Sequence, residues 1–124
     1  MLTYKRIAVV GSREFKNWEQ LKSKIDNIIT EGDWIVSGGA LGADSLAQRY
    51  AKEAGYPILI FYPNWRVNGV YDAGAGFKRN GKIVENSDIV LAFYRKNHFQ
   101  EGGTANTASW ARKLNKELIE YEEE

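Results

Sequence analysis

Cysteine is absent from the 124-residue sequence, proline occurs twice and histidine once. Without thiols there is no disulfide framework, no thiolate nucleophile and no cysteine-based metal site, and the composition fits a reducing compartment. One histidine and carboxylates without a ligand-type repeat point to no metal. Nor does charge of one sign dominate: 17 Lys and Arg against 16 Asp and Glu leave a formal charge of +1, so no global basic field draws the chain to nucleic acid. Long apolar runs are missing too. None approaches the roughly 20 residues that span a bilayer, and Met1 to Arg6 leads into a strand pattern without a signal-peptide core. The expectation is a cytoplasmic protein with no membrane partner. Two phosphate fingerprints are also lacking, since no G-x-G-x-x-G and no Walker A lysine follow a glycine turn.

What is present is an alternation of short apolar runs and helix-type patterns. Ile7–Val10, Trp34–Ser37, Pro57–Phe61 and Asp88–Phe93 read as buried strands. Asn17 with Gln20 forms a capping-box pattern ahead of Trp18, Leu21, Ile25, Ile28 and Ile29. Ala43, Leu46, Ala47, Tyr50, Ala51 and Ala54 make a narrow stripe that lets a second helix pack closely, with Gly55 just past its end. A third helix is expected from about Phe77 to Asn86, with Phe77, Ile83 and Val84 buried, and a fourth carries Ala105, Ala108, Ala111 and Leu114. Glu117–Tyr121 alternates as an edge strand does, or extends that last helix. Residues 1–119 read as one domain and 120–124 as a solvated acidic tail. Strands joined through helices call for right-handed crossovers and a parallel sheet covered on both faces. The expected fold is a Rossmann-like, three-layer α/β domain with about five parallel strands in the order 3-2-1-4-5.

In such a sheet the ligand crevice lies at the carboxyl ends of the strands, where the order reverses. Three glycine turns fall at that edge: Gly11-Ser12-Arg13, Ser37-Gly38-Gly39-Ala40-Leu41-Gly42-Ala43-Asp44 and Gly102-Gly103-Thr104. A strand running through glycines into a helix directs unpaired N–H groups and a positive dipole end at one spot, which suits phosphate. The same glycines also serve a tight turn that only relieves steric strain. Arg13 and Arg79 can grip phosphate or make surface pairs. Asn80, on the inward stripe of its helix, can read a sugar hydroxyl or base edge, or tie a loop. The long stretch from Tyr62 to Gly76 offers Trp65 and Tyr71, either to stack on a base or to plug the loop into the core. Asp44 is the best-placed carboxylate for hydrolysis, although acidic residues in a first turn usually cap. Glu101 and Asp72 are weaker candidates, and His98 has no Ser or Cys to activate.

Gly11-Ser12-Arg13-x-Phe15, Val36-Ser37-Gly38-Gly39-Ala40-x-Gly42-Ala43-Asp44-x-x-Ala47, Pro63-x-Trp65, Ala73-Gly74 with Arg79-Asn80, Asp88 and Gly102-Gly103-Thr104 resemble the SLOG superfamily. More narrowly, they resemble its YspA (cpYpsA-related) branch of small stand-alone domains. The resemblance implies a Rossmann-like fold whose glycine motifs, with Ser37, Asp44, Trp65, Arg79 and Asn80, bind a nucleotide or nucleotide-derived ligand, often as a sensor. LOG-type members are phosphoribohydrolases that cut the N-glycosidic bond of nucleoside 5′-monophosphates. Their signature resembles Pro-Gly-Gly-x-Gly-Thr-x-x-Glu; the stretch Glu101-Gly102-Gly103-Thr104-Ala105-Asn106-Thr107 lacks both its leading proline and its downstream glutamate. Hydrolysis, with Asp44 or Glu101 as the carboxylate, is therefore the alternative. DprA-type members bind single-stranded DNA and recombinase, a role the near-neutral chain favours less. Relatives commonly pair through helices, which implies a homodimer.

Overall fold

The computed structural model describes residues 4–124. The principal sheet has five parallel strands in the order β3-β2-β1-β6-β7. They are β1 (Arg6–Gly11), β2 (Trp34–Gly38), β3 (Ile58–Phe61), β6 (Ile89–Tyr94) and β7 (Glu117–Glu122). On β1 the pleat sends Ile7 and Val9 to one face and Ala8 and Val10 to the other, and each pair belongs to a separate core. The first core contains Leu21 and Ile25 of α1 (Trp18–Asp26) and Ala43, Ala47 and Ala51 of α2 (Ala43–Ala54). The second contains Ile83 and Val84 of α3 (Ala75–Glu85) and Ala111 of α4 (Gly102–Lys113). This is the Rossmann-like, three-layer arrangement, and it explains why the central strands are apolar throughout: both faces are covered. No helix among the described residues is long and apolar enough to cross a membrane.

The strand order differs in number from 3-2-1-4-5 because two further strands form within the long loop. β4 (Arg66–Val67) and β5 (Val70–Tyr71) pair antiparallel about Asn68 and Gly69, at φ 53° and 78°. Two consecutive positive φ values around Asn-Gly suit the tight two-residue turn that matches strand twist. Its dipeptide signal stands in the sequence, but two-residue strands are too short to show periodicity. A second departure concerns Phe77, which is 57% exposed rather than buried. The inward stripe of α3 is centred instead on Gly81, where an added Cβ would lie 3.0 Å from the Trp110 ring of α4.

The acidic end is no free tail, because Glu120 to Glu122 continue β7. Beyond them Glu123 accepts the N–H groups of Lys16 and Asn17 at 2.7 and 3.0 Å. These are donors at the start of α1 that need partners. Asn17 Oδ1 accepts from Gln20 N at 3.1 Å as the capping pattern predicts. The reciprocal half of the box is replaced: the Gln20 side chain donates to the Glu122 carbonyl at 2.8 Å and accepts from Glu124 N at 3.1 Å. Glu123→Ala is expected to cost roughly 1–2 kcal/mol, the scale of a lost helix cap, read as a lower urea midpoint at unchanged slope.

Candidate functional site

Strand order reverses between β1 and β6, and the cavity lies at their carboxyl ends. Its volume is about 370 Å³, and its wall includes Gly11, Ser12 and Arg13 from β1 and the loop after it, Asp44 from α2, Arg79 and Asn80 from α3, and Glu101, Gly102, Gly103 and Thr104 at the start of α4. Ten residues singled out in the sequence thus converge on one space. Ser37, Gly38, Gly39, Gly42 and Trp65 do not line it.

Those five have other neighbours. The Ser37 hydroxyl is buried and donates to the Val9 carbonyl at 2.6 Å, tying β2 to β1. A Cβ on Gly39 would fall 2.0 Å from the Tyr62 ring. One on Gly42 would fall 2.2 Å from the Ser12 carbonyl oxygen, so here α2 touches the backbone of the loop after β1. Trp65 stacks on Tyr71 with centroids 6.1 Å apart and planes 10° from parallel. Both remain exposed, so the pair braces the hairpin and does not plug the core.

Gly38 acts on the site indirectly. A Cβ there would lie 2.6 Å from Arg79 Nη1 and 2.9 Å from Asp44 Oδ2, so the missing side chain makes room for both groups. Gly38→Ala should keep the fold, since only side-chain ends must move, at roughly 1–2 kcal/mol. It should displace Arg79 and Asp44. The check is an unchanged far-ultraviolet dichroism spectrum together with altered ligand response in the assay below.

Asp44 occupies the first turn of α2, only 5% exposed, and its Oδ2 accepts from Ala40 N at 3.2 Å. Burial raises its pKa from the ordinary 3.8 to about 6, against the lowering influence of the Ala40 N–H, the Arg79 charge, Ser37 and the Arg13 charge. Arg79 is half-buried. Its Nε donates to Asn80 Oδ1 at 3.1 Å and its Nη1 to the Phe61 carbonyl at 3.2 Å. Burial lowers the guanidinium pKa, and Asp44 opposes that. Asn80 donates in turn to Asn106 Oδ1 at 3.1 Å, so it links α3 to α4 and steadies Arg79.

The two helix starts at the cavity differ. Ala43 N–H at the head of α2 already donates to the Ser12 carbonyl at 3.1 Å, and Asp44 places an anion in that first turn. At α4 the Glu101 side chain makes no capping hydrogen bond and the first turn holds no acidic residue. Glu101 instead pairs with His98 Nδ1 at 2.6 Å. Arg95, Tyr94 and Thr107 also line the cavity and were not singled out beforehand. Arg95 pairs with Glu14 across the rim. Its signal was positional: it directly follows β6, much as Arg13 follows β1. Among the described residues there is no group of three or more His, Asp or Glu able to hold a metal.

A doubly covered parallel sheet with three glycine-bearing turns at one edge defines the class as a Rossmann-like α/β domain. Residues 5–67 match the family described as YspA, cpYpsA-related SLOG, abbreviated YAcAr, and the chain belongs to that family. Similar solved structures support the fold. DprA from Streptococcus pneumoniae has a TM-score of 0.75 at 18% identity, over 94% of this chain and 50% of the other. DNA processing protein A from Helicobacter pylori, whose structure addresses a single-stranded DNA binding mode, has 0.69 at 22%, over 94% and 64%. TM1055, a structural genomics target, has 0.66 at 20%, over 93% and 72%. The chain therefore spans half to two thirds of the two DNA-processing proteins. Comparison with functionally curated proteins finds no match.

Proposed function

We propose that this domain binds a nucleotide or nucleotide-derived phosphate compound in the cavity above β1 and β6, as a small binding or sensing module. The observation that carries the reading is the start of α4. A 12-residue helix without a side-chain cap presents Gly102, Gly103 and Thr104 to a cavity that also holds Arg13, Arg79 and Arg95. Helix N–H groups and a dipole end favour phosphate, and arginine adds planar, charge-assisted donors. Phosphate then rests on α4, with Arg79, steadied by Asn80, and Arg13 neutralising it.

Asp44 favours a second reading. A buried carboxylate with a pKa of about 6 suits acid–base work near neutral pH, so hydrolysis of a nucleoside 5′-monophosphate is the alternative. The DNA-binding mode named for one structural neighbour supplies a third, single-stranded DNA.

A thermal-shift screen against nucleoside mono-, di- and triphosphates, cyclic nucleotides, ADP-ribose and a short oligonucleotide separates them, with chromatography of every hit. Binding to the folded state raises Tm by mass action. The binding reading predicts a shift that disappears in Arg79→Ala, with the nucleotide recovered intact. Free base in the eluate moves the assignment to the hydrolase. A response to oligonucleotide alone replaces the small-molecule site.

A further inference from the structure

The cavity is electrically two-sided. At the α4 end the one acidic wall residue, Glu101, is turned to His98, no acidic residue occupies the first turn, and Gly102 and Gly103 line the wall. At the α2 end stands Asp44, buried, with one carboxylate oxygen committed to the Ala40 N–H. No side-chain oxygen or nitrogen among the described residues is buried without a partner. The second carboxylate oxygen therefore has an outlet, and the cavity that Asp44 lines provides it.

An ionised Asp44 repels a phosphate placed directly against it, with no guanidinium between them, because like charges repel strongly where solvent screening is weak. The ligand's anion is driven to α4, and whatever faces Asp44 must donate a hydrogen bond. In a nucleotide the neutral donor next to the phosphate is the sugar hydroxyl. The glycine turn after β2 fits the same role. Gly38 clears the space for Asp44 and Arg79, and Gly42 brings the head of α2 onto the Ser12 backbone.

Resting on the nucleotide reading above, we infer that Asp44 selects the ligand's sugar: it accepts a hydrogen bond from a ribose hydroxyl, so the site takes ribonucleotides in preference to deoxyribonucleotides. A site built to pair a hydroxyl discriminates against the analogue that lacks it, because its own buried acceptor is then left without a donor. The motif read as a phosphate cradle thus serves the sugar, and α4 serves the phosphate.

Titration calorimetry tests this with the 5′-monophosphates of adenosine, guanosine, cytidine and uridine and the 2′-deoxy and 3′-deoxy form of each. The expected result is at least one ribonucleotide bound about tenfold more tightly than one of its deoxy forms, with that ratio falling to near one in Asp44→Ala and falling less in Asp44→Asn, whose amide oxygen still accepts from a hydroxyl. Equal affinity of ribo and both deoxy forms in the unaltered protein overturns the inference while leaving the nucleotide reading intact. So does a ratio unchanged in both folded variants. Absence of binding by every monophosphate overturns the inference together with the site it rests on. The comparison within the unaltered protein stands even if a variant fails to fold.

Discussion

Asp44→Asn is expected to make the protein more stable at pH 7.5, by on the order of 3 kcal/mol, while weakening whatever the cavity binds. The carboxylate takes a proton at about 6 in the fold, chiefly because of burial, and at about 3.8 when that burial is lost. Between those values the folded chain holds a proton that the unfolded chain has released. Stability contributed by this group therefore falls as pH rises through that window and stays low above it. Asparagine resembles the neutral acid in shape and carries no charge to desolvate. The variant's advantage should vanish below about pH 4, where both states of the parent are protonated, and be complete above about pH 7. Urea denaturation of both proteins at pH 4 and pH 7.5 reads it directly. A variant less stable than its parent at pH 7.5 would mean that Arg79 depends on Asp44 more than burial penalises it. A carboxylate that destabilises its own fold breaks a local rule in the way functional sites do.

Gly42→Ala is expected to have the opposite outcome, a loss of roughly 2–6 kcal/mol, as the sum of a backbone conformation hostile to L-residues and forced overpacking. Gly42 has φ 72° and ψ −126°, a region open in practice to glycine. A Cβ would meet the Ser12 oxygen at 2.2 Å and the Arg13 carbonyl carbon at 2.4 Å. Both obstacles are backbone, so no rotamer change relieves them. Ala43 N–H donates to that same Ser12 carbonyl, and the shift needed would break this bond as well. Against a total stability of roughly 5–15 kcal/mol for an ordinary domain, such a loss is visible as a large drop in Tm. A fall of less than about 1 kcal/mol would show that the α2 start is far more pliable than its contacts imply.

The contrast between Gly38 and Gly42 also shows what could be read in advance. The apolar runs from Ile7 and Ile89 gave buried strands because a doubly covered strand tolerates little else, and their order came from the doubly wound pattern, since crossover handedness fixes only the face each helix covers. Convergence at the sheet edge followed in turn. It brought Arg13, Asp44, Arg79 and Gly102 together across a separation of some 90 residues. Glycine, however, records permission without purpose. Gly38 makes way for two side chains, Gly39 for Tyr62 and Gly42 for a backbone, and nothing in Ser-Gly-Gly-Ala distinguishes these from room for a ligand. Asn106 and Thr107 were passed over because polar residues on an alanine-rich helix resemble its solvent face until α3 is seen to pack there.

The Glu123 clamp has a bearing on when the cavity becomes complete. Lys16 and Glu123 are 107 positions apart, and the segment they secure continues from the Ser12 and Arg13 wall of the cavity. During synthesis α1 has only its local Asn17 cap, and the Lys16 and Asn17 N–H groups must wait for Glu123 until the last strand has been made and has docked on β6. A pocket whose wall is fastened by such a distant partner matures late. Ligand added to nascent chains stalled before residue 117 should find no formed site, however much of the sheet has already assembled.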